Sequence, residues 1–317
     1  MSANYLVRRF FSTLLVIILS SVIVFAITNV LPGDAASMVL GEHATPQDLI
    51  AVRERLGLDQ NVVLRYVEWL GGALTGNFGE SVAMQRPVWD VLSVAISRSL
   101  ILAFSALLIV ICIAIPLGVL AAARKGTAVD LVVSLFSYLG IALPEFVTAS
   151  LFLTFLAGPS LGIFPAGGYA SFSGDGVVDA LRHLALPALS LTFILMAHIS
   201  RLVRSEMIDA LASDYVRTAV LKGLSRRQVL FKHALRNSLL PAVTIIALDI
   251  GYLLGGVLVV EEVFAYPGVG RLMIFAINNR DLPLIQSTAA VIAAGYAFAN
   301  FGADIIYAWL DPRVQYD

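Results

Sequence analysis

The sequence predicts an all-α integral membrane protein with six transmembrane helices, and three observations lead to this fold class. Of the 317 residues, 59% are hydrophobic and only 14% are charged, whereas soluble proteins carry about 25% charged residues. The mean hydropathy is +0.87. Six largely apolar stretches follow one another along the chain, and a helix needs roughly 20 such residues to cross the hydrocarbon of a bilayer.

Composition and motifs exclude several classes of function. A net charge of −1 and a pI near 6.4 argue against a nucleic-acid partner, and the high hydrophobicity excludes disorder. One cysteine, Cys112, and four scattered histidines predict neither a disulfide framework nor a metal site. The pattern GxxxxGK[ST] does not occur, so we expect no nucleotide site and no cofactor bound by this chain.

The six apolar stretches cover residues 10–33, 99–123, 131–157, 184–200, 239–260 and 283–310. The first is too long for the apolar region of a cleavable signal peptide, so we expect an uncleaved anchor. Pro144 and Glu145 interrupt the third. Arg201 and Arg204 follow the fourth, and we expect their long side chains to reach the aqueous boundary.

The distribution of basic residues predicts the orientation of the chain, because Lys and Arg concentrate on the cytoplasmic side. With both termini inside, the cytoplasmic segments hold thirteen Lys and Arg against six Asp and Glu, including every lysine. We therefore predict an N-in/C-in topology with a large outer loop after helix 1. Residues 1–98 then form the first helix with this loop, and residues 99–317 form a five-helix core.

The outer loops carry further helical patterns. Residues 59–74 repeat apolar side chains at helical spacing and place Trp69 where a membrane boundary suits it. This helix either rests on the bilayer or bundle, or acts as a scoop that shapes substrate entry or touches a delivery protein. Residues 158–183 are glycine-rich and predict turns, whereas residues 261–281 predict a short re-entrant or capping helix.

The cytoplasmic segment at residues 205–238 predicts two helices with a break at residues 222–224. Gly223 suits a left-handed helix end, and Ser225 with Gln228 three places on has the spacing of a capping box. The first helix has an apolar stripe formed by Tyr215, Val216, Ala219 and Val220. A solvated linker is the alternative, but the stripe and the capped turn favour an element docked into a groove of another protein.

This segment resembles the cytoplasmic EAA loop of ABC-importer permeases, and most narrowly that of the oligopeptide, dipeptide and nickel branch. The similarity lies in DYVRTAVLKGLS at residues 214–225 and HALRNSLLP at residues 233–241. Other motifs match the branch from the first apolar stretch to the last residues: Leu31-Pro-Gly-Asp34, Leu56-Gly-Leu-Asp59, Arg65-Tyr66 with Trp69-Leu70, Glu262-Val-Phe264 with Pro267-Gly268, and Asp311-Pro-Arg313.

The resemblance implies a type I ABC-importer permease fold and a permease subunit of an ATP-driven importer that is not itself an enzyme. It implies four kinds of partner in a bacterial inner membrane: the lipid bilayer, a second homologous permease, two ATPase subunits that use ATP and Mg, and an external substrate-binding protein. The second permease is either identical or different. Substrates of the branch include dipeptides, oligopeptides, nickel, glutathione, sugars and opines, among which the sequence does not choose.

The resemblance also implies a coupling helix seated in a cleft of an ATPase subunit. The matching residues are Asp214, Tyr215, Arg217, Thr218, Ala219, Lys222, Gly223 and Leu224. Arg217-Thr218-Ala219 stands where the general motif has Glu-Ala-Ala, which departs from the broad motif and agrees with the peptide branch. Arg217 and Lys222 are expected to pair with acids of the partner.

Ionisable groups inside the bilayer are costly and mark functional sites. We predict that Asp249 lines the translocation path and favours a cationic group, the alternative being a structural hydrogen bond between helices. Gly251 and Gly255 have the GxxxG spacing that permits close helix approach. Glu145 either faces the path or satisfies the break left by Pro144. We expect Asp304 to be solvated or paired and to have little functional importance, and His198 to be a packed interfacial residue rather than a proton carrier.

Two other classes of protein were considered. A secondary transporter driven by an ion gradient is the alternative to an ATP-driven importer, although such transporters commonly contain internal repeats, and none is evident here. An intramembrane hydrolase needs a nucleophile and a base, and no Ser/His/Asp arrangement points to acyl transfer.

Overall fold

The computed structural model describes residues 3–30, 45, 47, 50, 60–159 and 161–310, and the described chain is almost entirely helical. Before the first long inter-helix turn it contains α1 (Ala3–Val30), α2 (Val62–Leu74), the two-residue strands β1 (Glu80–Ser81) and β2 (Arg86–Pro87), and α3 (Val88–Ala123). The strands pair as an antiparallel hairpin. The predicted amphipathic helix of the outer loop is therefore confirmed as α2, whereas no sequence signal had indicated the hairpin.

The remaining helices follow in the order predicted for the core. They are α4 (Ala128–Ala142), α5 (Glu145–Phe152) with a π-helical extension (Leu153–Ala157), α6 (Val177–Leu211), α7 (Asp214–Leu221), α8 (Leu235–Val263), α9 (Val269–Asn278) and α10 (Leu282–Leu310). A helical turn (Arg226–Gln228) and a π-helical segment (Val229–Ala234) lead into α8. The short helix predicted between residues 261 and 281 is confirmed as α9, and its re-entrant or capping role stays a prediction.

Among the described residues, four helices are long and apolar enough to cross a membrane: Leu6–Thr28, Val88–Ala123, Val177–Leu211 and Leu282–Ile306. Two bent pairs bring the number to six if each pair forms one span. Ala128–Ala142 and Glu145–Ala157 meet at 111°, and Arg226–Leu239 and Pro241–Gly251 meet at 46°. The interruption expected at Pro144 is confirmed, because α5 begins directly after this residue.

Several helices extend beyond the apolar stretches that predicted them. The helix predicted from residue 99 begins at Val88, and the one predicted over residues 184–200 runs from Val177 to Leu211. The second outer loop is therefore shorter than expected, and His183 lies in a helix. Hydropathy identifies only the part of a helix that is apolar enough for the hydrocarbon of the bilayer. The backbone hydrogen bonds of the helix continue beyond that part until a capping or helix-breaking residue ends the helix. Gly33, the predicted end of the first span, lies outside the described residues.

The chain folds as two compact units. The first unit comprises residues 1–8, 100–266 and 299–317. Helix α6 lies at its centre and packs against α4, α5 and α8. Large side chains of α6 are fully enclosed there, among them Leu191, Ile199 and Met207.

Glycines on two neighbouring helices allow close packing against α6. A Cβ added to Gly118 of α3 would lie 2.6 Å from the carbonyl oxygen of Ser200, and one added to Gly140 of α4 would lie 2.6 Å from the Cβ of Ala197. The hydroxyls of Ser137 and Ser200 are 3.0 Å apart between α4 and α6. Small residues thus let three backbones approach at one level of the first unit.

The second unit comprises residues 9–99 and 267–298. Helix α2 packs on α1 through the rings of Tyr66 and Phe25, whose centroids are 5.4 Å apart. Asp281 is fully buried and accepts hydrogen bonds from the Ser81 hydroxyl at 2.5 Å and from the Ala83 amide at 3.0 Å. This carboxylate holds the β-hairpin against the start of α10.

Gly118→Ala tests the close approach of α3 to α6. We expect the free energy of unfolding to fall by about 1–3 kcal/mol, because the added methyl group meets a backbone oxygen that cannot move alone. Thermal unfolding of the purified chain in detergent measures this loss. Gly302→Ala is the matched control, because nothing lies within 4 Å of a Cβ at that helical position. Equal effects of the two substitutions would contradict the packing described here.

Candidate functional site

The cytoplasmic hairpin predicted at residues 205–238 contains one more break than expected. Helix α6 continues to Leu211, the chain bends at residues 212–213, and α7 begins at Asp214. Ser213 takes the extended conformation that precedes a helix, with φ −75° and ψ 154°. The prediction of a single helix from residue 205 to the glycine break is therefore wrong, and the coupling candidate is the separate eight-residue helix α7.

The glycine break itself is confirmed. Gly223 has φ +78°, in the left-handed region that residues with a Cβ rarely adopt. Its amide donates to the carbonyl of Val220 at 2.9 Å, and the Leu224 amide donates to that of Ala219 at 3.3 Å. These bonds close the end of α7 and reverse the chain direction.

The capping box is also confirmed. The Ser225 hydroxyl accepts from the Gln228 amide at 3.4 Å, while the Ser225 amide donates to Gln228 Oε1 at 3.0 Å. The two bonds satisfy amides that have no partner inside the helical turn. Local signals in the sequence therefore fix both the end of α7 and the start of the next turn.

The apolar stripe of α7 divides between two environments. Val216 and Ala219 are 4% and 5% exposed and belong to the core of the first unit. Tyr215, Val220 and Leu221 are exposed, Leu221 to 80%. One side of α7 is thus anchored in its own chain, and the other presents an apolar surface. Leu221 was missing from the predicted stripe, although its position beside Val220 would have revealed it.

The basic side chains of α7 and its C-terminus are available to another molecule. Arg217 and Lys222 are exposed, and neither forms an ion pair with any carboxylate in the part of the chain described. Asp214 lies in the first turn, where a negative charge is favoured by the helix dipole. The Thr218 hydroxyl donates to the carbonyl of Asp214 at 2.9 Å, and Leu224 packs against the core.

Arg204, in the C-terminal part of α6, forms a two-point ion pair instead of reaching towards water as expected. Its Nε and Nη2 donate to Oδ1 and Oδ2 of Asp130 at 2.5 Å and 2.8 Å. Oδ2 of Asp130 also accepts from the Gly126 amide at 2.9 Å. Because Asp130 is buried, removal of either partner would leave an uncompensated charge.

A second bond joins the other arm of the hairpin to the same place. Nη2 of Arg226 donates to the carbonyl oxygen of Ala123 at 3.0 Å. The α3–α4 turn, defined here as residues 123–130, therefore holds both the segment before α7 and the segment after it. Sequence reasoning missed this arrangement, because the partners are 74 and 103 residues apart and no local pattern connects them.

Asp249 lies on α8 with its Oδ2 buried and without a hydrogen-bond partner among the described residues. The imidazole of His198 on α6 is close enough to interact electrostatically with this carboxylate. No described group donates a hydrogen bond to Oδ2 of Asp249, and the two roles predicted for this residue stay predictions. His198 is half-buried between packed helices.

Glu145 is the first residue of α5, and its Oε1 is likewise buried without a partner in the described ranges. The amides of Val147 and Thr148 donate to the carbonyl of Pro144 at 3.0 Å and 3.1 Å. Main-chain bonds thus form at the start of α5, and the two roles predicted for Glu145 stay predictions.

The two glycines of the GxxxG spacing on α8 have different surroundings, and no heavy atom of the described chain approaches Gly255 closely. Gly251 is buried, but Gly255 is exposed and has no heavy atom within 4 Å of a Cβ built on it. The close approaches occur at Gly118 and Gly140, because contact depends on which face of a helix meets its neighbour.

Metal and cofactor chemistry is not indicated by any cluster in the described chain. No group of three or more His, Cys, Asp or Glu side chains there is arranged to hold a metal ion. The free thiol of Cys112 is exposed.

Asp130→Asn and Arg204→Gln test the ion pair. Each single substitution should lower the free energy of unfolding by about 2 kcal/mol or more, because the remaining partner keeps an unsatisfied group. The double variant should lose less than the sum of the two, as measured by thermal unfolding. Arg201→Gln, which removes an exposed arginine on the same helix, serves as control. Simple additivity would show that the pair contributes no coupling energy.

Comparison with known proteins agrees with these features. The family described as "Binding-protein-dependent transport system inner membrane component" matches residues 114–316, and the family of its N-terminal part matches residues 2–103. A probable peptide ABC transporter permease protein of Sinorhizobium fredii is 36% identical over 98% of this chain and 99% of its own length.

Two further relatives are similar over their whole length. The oligopeptide transport system permease protein AppB of Bacillus subtilis is 34% identical over 99% of this chain and 100% of its own. The dipeptide transport system permease protein DppB of Alkalihalophilus pseudofirmus is 32% identical over 98% and 99%. These matches confirm that the chain is a permease rather than an enzyme, and they decide against a secondary transporter. The chain belongs to the family of inner membrane components of binding-protein-dependent ABC transport systems.

Proposed function

We propose that the chain is a path-forming subunit of a bacterial peptide importer and crosses the inner membrane six times, with both termini in the cytoplasm. Residues 1–98 hold its first helix, the outer loop and the beginning of α3, and residues 99–317 form the permease core with the hairpin at 205–238. Relatives named as permeases for peptides, oligopeptides and dipeptides support peptides over the metal, sugar and opine substrates of the wider branch.

The observation that carries this proposal is the two-sided surface of α7. Exposed Tyr215, Val220 and Leu221 lie beside Arg217 and Lys222, which have no described ionic partner. An apolar face flanked by unpaired cations suits a groove with an apolar floor and acidic rim. We assign that groove to an ATPase subunit. Two such subunits, which use ATP and Mg, act together with this chain and a second permease. A substrate-binding protein outside the membrane delivers the peptide.

The bonds around the α3–α4 turn suggest how movement of α7 reaches the membrane helices. Arg204 and Arg226 tie the segments on either side of α7 to residues 123–130. A displacement of α7 by its partner therefore acts on the ends of α3, α4 and α6 together and does not dissipate in a flexible loop. Rigid-body movement of packed helices is a common mode of such transitions.

The partnerless carboxylates of the first unit support a role in the translocation path. A buried acid without a hydrogen bond is costly in hydrocarbon unless it faces water, a partner or a substrate. We assign Asp249 to an interaction with a cationic group, such as a peptide amino terminus or a basic side chain. Glu145, Gly251 and Gly255 belong to the same path, and the exposed Gly255 leaves room on α8 for the second permease.

Gly223→Val tests the coupling role. Valine cannot adopt φ +78° without strain, so the end of α7 should distort and ATP-driven uptake in proteoliposomes should be lost, while membrane insertion persists. Gly176→Val is the matched control, because Gly176 has φ +94° and open space around it but lies far from the hairpin in sequence. Normal uptake with Gly223→Val, or equal loss with both variants, would remove the coupling assignment.

Asp249→Asn tests the path assignment. Loss of one charge interaction should reduce uptake of a lysine-containing tripeptide about tenfold more than that of N-acetyl-tri-alanine, which carries no cationic group. Competition uptake assays in proteoliposomes measure the ratio directly. Asp209→Asn removes an exposed acid on α6 and should leave the ratio unchanged. A parallel loss for both peptides would assign Asp249 a structural role instead.

A further inference from the structure

The second unit contains a cavity of about 520 Å³ that neither the coupling hairpin nor the partnerless carboxylates use. Its volume falls in the range typical of small-molecule sites, roughly 300–1,000 Å³. Side chains from α1, α2, the segment before the β-hairpin and the start of α10 line it. The apolar part of the wall comes from Phe25, Trp69, Phe78 and Pro283.

Arg65 of α2 brings a positive charge to this cavity. Its guanidinium carbon lies 5.9 Å from the centroid of the Phe25 ring, and the side chain forms no ion pair or hydrogen bond with a described residue. Burial lowers the pKa of Arg65, which indicates that water is withdrawn from the charge without a counter-ion. A guanidinium in this state is well suited to bind a carboxylate through two parallel hydrogen bonds.

Glu68 brings a negative charge to the same wall. It lies three residues after Arg65, a spacing at which opposite charges on a helix commonly pair. No such ion pair forms, and Glu68 is exposed without a described partner. The cavity wall therefore contains one cation, Arg65, and two carboxylates, Glu68 and Glu80, and Glu68 does not pair with Arg65.

Two amide side chains in the wall have hydrogen-bonding capacity left over. Asn77 accepts from the Gly79 amide through Oδ1, so its Nδ2 donor is unused. Gln286 donates through Nε2 to the Thr28 hydroxyl, so its Oε1 acceptor is unused. The indole N–H of Trp69 is buried and has no acceptor in the described chain. Unused donors and acceptors of this kind match the N–H and C=O groups of a peptide bond.

We infer that this cavity is a binding site for short peptides with free termini. Arg65 binds the terminal carboxylate, Glu68 binds the terminal ammonium group, and the aromatic walls contact the side chains. The inference rests on the proposed transport of peptides and adds a substrate site on the outer part of the permease itself. The binding protein is then not the only component that selects substrate chemistry.

The test measures binding without ATP, using the complex that co-purifies with the full-length chain in lipid nanodiscs. Isothermal titration calorimetry compares tri-alanine with its C-terminal amide and its N-acetyl derivative. Wild-type complex should bind the free tripeptide about tenfold more tightly than either blocked form, because each block removes one charge-assisted interaction. Equal binding of the three ligands, or no binding, would overturn the inference.

Two variants assign each preference to one residue. Arg65→Gln should abolish discrimination against the amide and keep discrimination against the N-acetyl form, whereas Glu68→Gln should do the reverse. Arg86→Gln removes an exposed arginine outside this cavity and should change neither preference. Loss of both preferences in either variant would indicate general distortion and contradict the assignment.

Uptake by the wild-type complex in proteoliposomes separates this inference from the proposed function. If the complex takes up peptides but binds the free and the blocked tripeptides equally, only the cavity site is overturned. Absence of peptide uptake overturns the proposed substrate class.

Discussion

The cost of placing charge in a low-dielectric medium is the constraint on which the rest of this structure depends. Where the chain buries a carboxylate for structural purposes, it supplies several donors, as at Asp130 with Arg204 and Gly126 and at Asp281 with Ser81 and Ala83. Asp249 and Glu145 receive no such donors among the described residues. The contrast within one chain is what gives the two partnerless acids functional meaning.

Signals within a few residues of each other in the sequence predicted those features of the candidate site that depend on interactions between near neighbours in the chain. Gly223, Ser225 with Gln228, and Pro144 each act within a few residues of their own position, so a break, a capping box and an interrupted helix could be read directly. Apolar periodicity likewise located α2 and α9. The extra break before α7 escaped notice because its only mark is the extended backbone at Ser213.

Interactions between distant residues could not be predicted in the same way. The bonds from Arg204 and Arg226 to the α3–α4 turn depend on how helices pack, which hydropathy does not specify. The glycines show the same limit, since a GxxxG spacing on α8 is no stronger a signal than single glycines on α3 and α4. Only the packed structure reveals that Gly118 and Gly140 meet α6, while Gly255 faces open space.

A feature that a sequence specifies and its own chain leaves unused is best explained by a second molecule. Leu221 exposes an apolar side chain at the end of a well-capped helix, and Gly255 offers a close approach that no described residue takes. Arg65 and Glu68 are three residues apart on one helix, a spacing that allows an ion pair, but they form none. Selection for stability alone would not favour such arrangements, because an isolated chain would be more stable if the charges were paired and the apolar groups were buried or replaced. We therefore propose that α7, α8 and α2 carry the surfaces at which this permease meets its partner subunits and its substrate.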